Sequence, residues 1–117
     1  MGHTINILET IEDIVKRDAR YKIGVYNFVL EALNYTVSGL KESRHVTGKE
    51  LLESIKQYAK GQFGPMARTV LEHWGVNSTE DFGKIVFNLV DASILSKTEQ
   101  DSIEDFKNSY DFKEAFG

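Results

Sequence analysis

The chain carries one proline in 117 residues, Pro65, so nothing in its covalent structure forbids a helix over two long stretches. Along them the apolar residues return with the helical period rather than the two-residue period of a strand. Ile7, Leu8, Ile11, Ile14 and Val15 share one face of a first helix. Thr4 or Asn6 can cap its start, and Lys16 and Arg17 suit the negative end of its dipole. Val25, Phe28, Val29, Ala32, Leu33 and Thr36 repeat the spacing in a second helix, which Gly39 ends.

The third helix has the sharpest start. Thr47-Gly48-Lys49-Glu50 is a capping box: the threonine oxygen accepts the Glu50 N–H, and the glutamate reaches back to the N–H of Thr47. Val46 and Leu51 stand where a hydrophobic staple belongs, and Leu51, Leu52, Ile55, Tyr58 and Ala59 form the stripe to be buried. Residues 61–76, "GQFGPMARTVLEHWGV", break this helix and open a fourth. Gly64-Pro65 puts proline at the first helical position, where its missing N–H costs nothing. Ala67, Val70, Leu71 and Trp74 line one face. Gly75 takes the left-handed position after the helix, and Val76 reaches back to Leu71.

A fifth helix starts at Ser78, with Asp81 completing a second capping box. Phe82, Ile85, Val86, Phe87, Leu89 and Val90 cover most of its circumference and predict a central, buried helix. The tail admits two readings. Thr98 to Asp101 could cap a short helix holding Ile103 and Phe106, with "YDFKEAF" closing over the core through Phe112 and Phe116. Equally, "SILSK" could pair with "IEDFKNSYDF" as a small β-hairpin. The expected fold is mainly α: one compact globular domain, residues 1–117, of roughly five to six helices. It is winged-helix-like if the C-terminal hairpin forms.

Composition narrows the function classes. Hydrophobic residues at 41% and charged residues at 27% are those of a globular protein. The absence of cysteine excludes disulfides, thiolate metal sites and a cysteine nucleophile, and fits a reducing compartment. No window supplies the ~20 apolar residues of a membrane span, and "MGHTINILETIEDIVKRDAR" lacks the pattern of a secretory signal. A cytoplasmic location without membrane association is expected. The net charge of −4 is concentrated late. Residues 1–78 hold ten Lys/Arg against nine Asp/Glu, and residues 79–117 hold four against nine. That balance disfavours sequence-independent nucleic-acid binding, which draws its affinity from phosphate neutralisation.

Candidate chemistry is sparse. Gly61-Gln62-Phe63-Gly64 has the G-x-x-G form of an RNA-contacting KH loop, but its middle residues are neither small nor basic, so a helix-breaking turn is expected. In a winged-helix reading the fifth helix would recognise DNA, yet it offers Lys84 against Glu80 and Asp91 and no arginine. Its wing would carry Asp101, Glu104, Asp105 and Asp111. The three histidines, His3, His45 and His73, show no metal-ligand spacing, and the acids from Glu99 to Asp105 lack the glycine and alternation of a calcium loop. No cofactor, metal or catalytic residue is therefore assigned. Arg44, His45, Arg68, His73 and Trp74 are the candidate partner-binding residues, since Arg and Trp are enriched at binding centres. Trp74 has a competing role as a core anchor.

Taken together, "YNFVLEAL", "RHVTGKELL", "QFGPMARTVLEHWGV", "TEDFGKIVFNLV", "KTEQDSIEDF" and "YDFKEAF" resemble a family of small bacterial conserved hypothetical proteins over nearly the whole chain after about residue 20. The resemblance implies a bacterial cytoplasmic protein and carries over no site residue. The leading expectation is a non-enzymatic interaction or regulatory module with an unidentified protein partner, homo-oligomerisation remaining open. Winged-helix-like nucleic-acid binding is the alternative, and a small-molecule enzyme the third.

Overall fold

The architecture comes from a computed structural model that describes residues 7–40, 46–95, 103–107 and 109–116. Among the described residues six α-helices run in the order α1 (Ile7–Arg17), α2 (Ile23–Ser38), α3 (Gly48–Phe63), α4 (Ala67–His73), α5 (Thr79–Asp91) and α6 (Phe112–Phe116). One 3₁₀ turn, Gly64–Met66, joins α3 to α4, and another occupies Ile103–Phe106.

The local signals explain most of these boundaries. The capping box of α3 closes in both directions, with Glu50 N–H on Thr47 Oγ1 at 3.1 Å and Thr47 N–H on Glu50 Oε1 at 3.0 Å. At the other end of α4, the Gly75 N–H donates to the Glu72 carbonyl at 3.0 Å and the Val76 N–H to the Leu71 carbonyl at 2.9 Å. Both bonds of a Schellman ending are thus present, with Gly75 at φ 97°. Glycine is required there twice over. A Cβ would lie 2.1 Å from the Arg20 carbonyl oxygen, because the α1–α2 corner is tied to the same turn by the Lys22 N–H and the Trp74 carbonyl at 3.0 Å.

The buried stripes of α1 to α5 meet in one cluster that also takes in Phe106 from the 3₁₀ turn and Phe112, Ala115 and Phe116 from α6. Ile11, Val29, Ile55, Leu71, Ile85 and Leu89 have no solvent exposure. Tyr21 and Tyr26, outside the expected stripes, are equally buried. The first turn of α1 departs from expectation: Ile7 and Leu8 are about half exposed, so the stripe turns inward only from Ile11.

Two expectations are corrected. Among the described residues there is no strand, so neither the C-terminal β-hairpin nor the wing of a winged helix is formed by them. Ile103–Phe106 coils into a 3₁₀ turn that buries Phe106 beside Phe87, ring centroids 6.2 Å apart, and α6 begins where the Asp111 carboxylate accepts the Glu114 N–H at 3.1 Å. The Asp111 cap and the i, i+4 spacing of Phe112 and Phe116, which puts both rings on one face of a helical turn 5.0 Å apart, favour α6 over a strand. The capping box at Ser78 is not made either. Asp81 instead accepts the Asn77 N–H at 2.9 Å and the Tyr21 hydroxyl at 2.6 Å. The proposed caps Thr4, Asn6 and Thr98 lie outside the described residues.

Candidate functional site

Of the five candidate partner-binding residues, Arg44 and His45 lie outside the described residues. The other three stand on or beside α4, but they do not converge. Arg68 pairs with Glu72 one turn on, Nε to Oε2 at 3.1 Å. His73, exposed, is five residues from Arg68 and so points about 140° away around the helix. Trp74 packs its indole against Gly24, where an added Cβ would meet the indole nitrogen at 2.7 Å, and its ring lies 5.8 Å from Phe28 and 5.7 Å from Phe63.

Those contacts lead to an arrangement that no single segment of the sequence displays. Phe28 is buried and central, with Tyr58, Phe63 and Trp74 around it at 5.5–5.8 Å between centroids, each of them half-buried. Tyr35 extends the row, 5.4 Å from Tyr58, and is 55% exposed. Met66, in the 3₁₀ turn that follows Phe63, is also 55% exposed. The result is an aromatic strip along the seam between α2 and α3. At its Tyr35 end it opens on a shallow hollow of about 430 Å³ bordered by Thr36, Gly39, Leu40 and Ser54. The sequence assigned Tyr58 to a buried stripe and Phe63 to a turn, and it passed over Tyr35. The one available signal was the i, i+7 spacing of Phe28 and Tyr35; the pairing with α3 is tertiary.

A second concavity, about 490 Å³, separates α3 from the segment before α6, with Lys49, Glu53, Asp105, Lys107, Ser109 and Tyr110 around it. Most of its groups are already engaged. The Tyr110 hydroxyl donates to the Leu52 carbonyl at 3.0 Å, and burial pushes that phenol well above its ordinary value. Hydrogen bonds from Gln57 and Lys56 hold the Glu53 carboxyl low, while the Lys56 ammonium also lies 5.3 Å from the Tyr110 ring centre.

A polar network ties the α1–α2 corner to α5. Asp18 Oδ1 accepts Arg20 N–H and Nε–H at 3.2 and 2.7 Å, and Oδ2 accepts Arg20 Nη2 at 2.6 Å and Asn88 Nδ2 at 3.0 Å. Asn88 also donates to the Tyr26 hydroxyl at 3.0 Å. The Arg20 hydrogen bonds hold the Asp18 carboxyl far below the usual range, whereas burial raises the phenols of Tyr26 and of Tyr21, the latter helped by its bond to Asp81. Each of these carboxyls and phenols moves away from neutrality, opposite to what a general acid or base working near pH 7 needs.

Among the described residues no three His, Asp or Glu side chains are grouped to hold a metal ion, and no helix is long and apolar enough to cross a membrane. No family model, curated protein or solved structure matches this chain.

Proposed function

We propose that the protein is a non-enzymatic interaction module that binds a protein partner through the aromatic strip of Tyr35, Tyr58, Phe63, Met66 and Trp74. The observation that carries this reading is the exposure of Tyr35 beside the half-buried Tyr58, with Met66 also exposed in the turn that follows Phe63. Aromatic residues and Met are enriched at interfaces, and the aromatic rings remove large apolar areas from water at low rotamer cost. The Asp18 and Glu53 carboxyls, held low by their hydrogen bonds, and the Tyr110 phenol, pushed up by burial, are poorly suited to proton transfer near neutrality. The nucleic-acid alternative is weakened by α5: Lys84 stands 3.9 Å from Glu80, and Asn88 is spent on Asp18 and Tyr26. The resemblance to small bacterial proteins makes a bacterial cytosol the place to look for the partner.

The test is affinity capture with the native chain, with a Tyr35→Ser/Met66→Ser double variant, and with an Arg44→Ala/His45→Ala variant, followed by reconstitution from purified components. A partner retained by the native chain and lost from the Tyr35/Met66 variant, with unchanged helicity, supports the strip. Loss only from the Arg44/His45 variant would move the surface to the cationic residues before α3.

A further inference from the structure

The start of α5 leaves two neighbouring groups unguarded. A capping box there would put the Asp81 carboxylate on the Ser78 N–H. Contacts from elsewhere divert it: Asp81 Oδ2 accepts the Asn77 N–H at 2.9 Å, and Oδ1 accepts the Tyr21 hydroxyl at 2.6 Å. Ser78 stands before the first helical turn, so its own N–H has no acceptor within the helix. It donates to no other group among the described residues. Asn77 is exposed, and its side-chain amide likewise hydrogen-bonds nothing among them.

A free backbone N–H beside a free asparagine amide is the arrangement from which a cyclic imide, a succinimide, closes. The Ser78 nitrogen loses its proton to solvent and attacks the Asn77 Cγ. The N–Cγ bond forms as the Cγ–Nδ2 bond breaks, and the amide nitrogen takes up a proton and leaves as ammonia. Water then opens the ring. Attack at Cγ gives aspartate, and attack at the main-chain carbonyl gives isoaspartate, with an extra carbon in the backbone. The reacting groups are held together by the chain itself, so their meeting costs no translational entropy. Closure requires that no hydrogen bond withholds either one.

The fold withholds that condition from the other described asparagines. Asn27 and Asn34 lie inside α2 and Asn88 inside α5, where the N–H that follows each is bonded one turn back. Asn88 is held further by Asp18 and Tyr26, at 3.0 Å each. A second Asn-Ser pair, Asn108-Ser109, shares the local chemistry of Asn77-Ser78. Asn108 lies outside the described residues, but the Ser109 N–H donates to Thr79 Oγ1 at 3.2 Å. The same dipeptide thus occurs once with its serine N–H engaged and once with it free. We infer that Asn77 is a site of spontaneous succinimide formation, converting to aspartate and isoaspartate in the folded protein. The conversion adds a negative charge just before Glu80 and Asp81. Its isoaspartate product also lengthens the connection that Asp81 ties to Tyr21.

The test incubates the native protein, and the same protein unfolded in urea, at mildly alkaline pH and follows both Asn-Ser pairs by peptide mass spectrometry. In the native protein Asn77 should convert about ten-fold faster than Asn108, the difference one retained hydrogen bond makes. In urea, with both serine N–H groups free, the two should convert at like rates. Asn77→Gln should lose the early product, because glutamine would have to close a larger ring. Ser78→Val crowds the attacking nitrogen with a branched side chain and removes no cap that the fold makes. It should slow the conversion while helicity stays unchanged. Isoaspartate at position 77, resolved from aspartate by chromatography, marks the ring as the intermediate. An amide at Asn77 that survives while Asn108 converts, or equal rates at the two in the native protein, overturns the inference. So does aspartate without isoaspartate, which would mean direct hydrolysis. A preference for Asn77 that persists undiminished in urea overturns it too, since the fold would then play no part.

Discussion

Gly61 and Gly75 are fourteen positions apart in one stretch of sequence and have opposite environments. A methyl group added at Gly61 meets nothing within 4 Å on the exposed side of α3, whereas at Gly75 it would collide with the Arg20 carbonyl on a backbone of positive φ. Gly61→Ala is expected to stabilise the fold by about 0.5–1 kcal/mol, by restricting the unfolded chain and favouring helix. Gly75→Ala should cost more than about 2 kcal/mol. Urea unfolding of the two variants beside the native protein decides both, and equal midpoints would refute the account. The sequence showed that Gly75 needs a left-handed backbone, because a proline-started helix and a trailing Val76 surround it. It did not show that Arg20 presses on the same atom, since a contact across fifty-five positions leaves no trace in local pattern.

Helix ends differ in how openly they are written. Thr47 and Glu50 announce the start of α3 with side-chain chemistry, and the structure makes both bonds. The end of α5 has no such mark. Ser93 occupies the left-handed position at φ 63°, with the Ile94 N–H on the Leu89 carbonyl at 2.9 Å, although serine carries a Cβ that this conformation disfavours. Ser93→Gly should therefore raise stability by about 0.5–1 kcal/mol, read as a higher urea midpoint at unchanged m-value. The junction between the α1–α2 corner and α5 was hidden for a different reason. Asp18 and Asn88 meet across seventy positions, and each looks like a solvated polar residue in its own segment. Because Asp18 is held below its unfolded value, its contribution is complete above the ordinary carboxylate range and is lost as the pH falls below about 4 towards its folded value. The acid limb of a stability–pH curve should be shallower for Asp18→Asn than for the native protein. Parallel curves would show that the network does not titrate in this way.

At the scale of the whole molecule, periodicity located the helices and most of the core, because burying a stripe every 3.6 residues is what each helix must do. The arrangement of the helices was not legible, and the aromatic strip belongs to the arrangement. It is assembled from α2, α3 and the turn that ends α4, so Tyr35 meets Tyr58, and Trp74 meets Phe28 and Phe63, only when the core forms. Of the two readings the tail admits, the one that closes over the core through Phe112 and Phe116 agrees with their burial. Phe116 stacks edge-on to Phe112 at 5.0 Å and to Tyr110 at 6.0 Å. Phe116→Ala should lower stability by about 3 kcal/mol and do so in one transition, seen at the same denaturant concentration by circular dichroism and by Trp74 emission. Separate midpoints for the two probes would show that α6 is not part of the cooperative unit.

The crossing of the Arg20 corner over Gly75 has a consequence for how such a chain can vary. Two bends distant in sequence rest on one point, so a residue inserted into either would dislodge its counterpart as well as itself. Length changes tolerated by most surface connections are denied to these two, and a substitution that eases one should be felt through the other. They behave as a single rivet fastening the front half of the chain to the back.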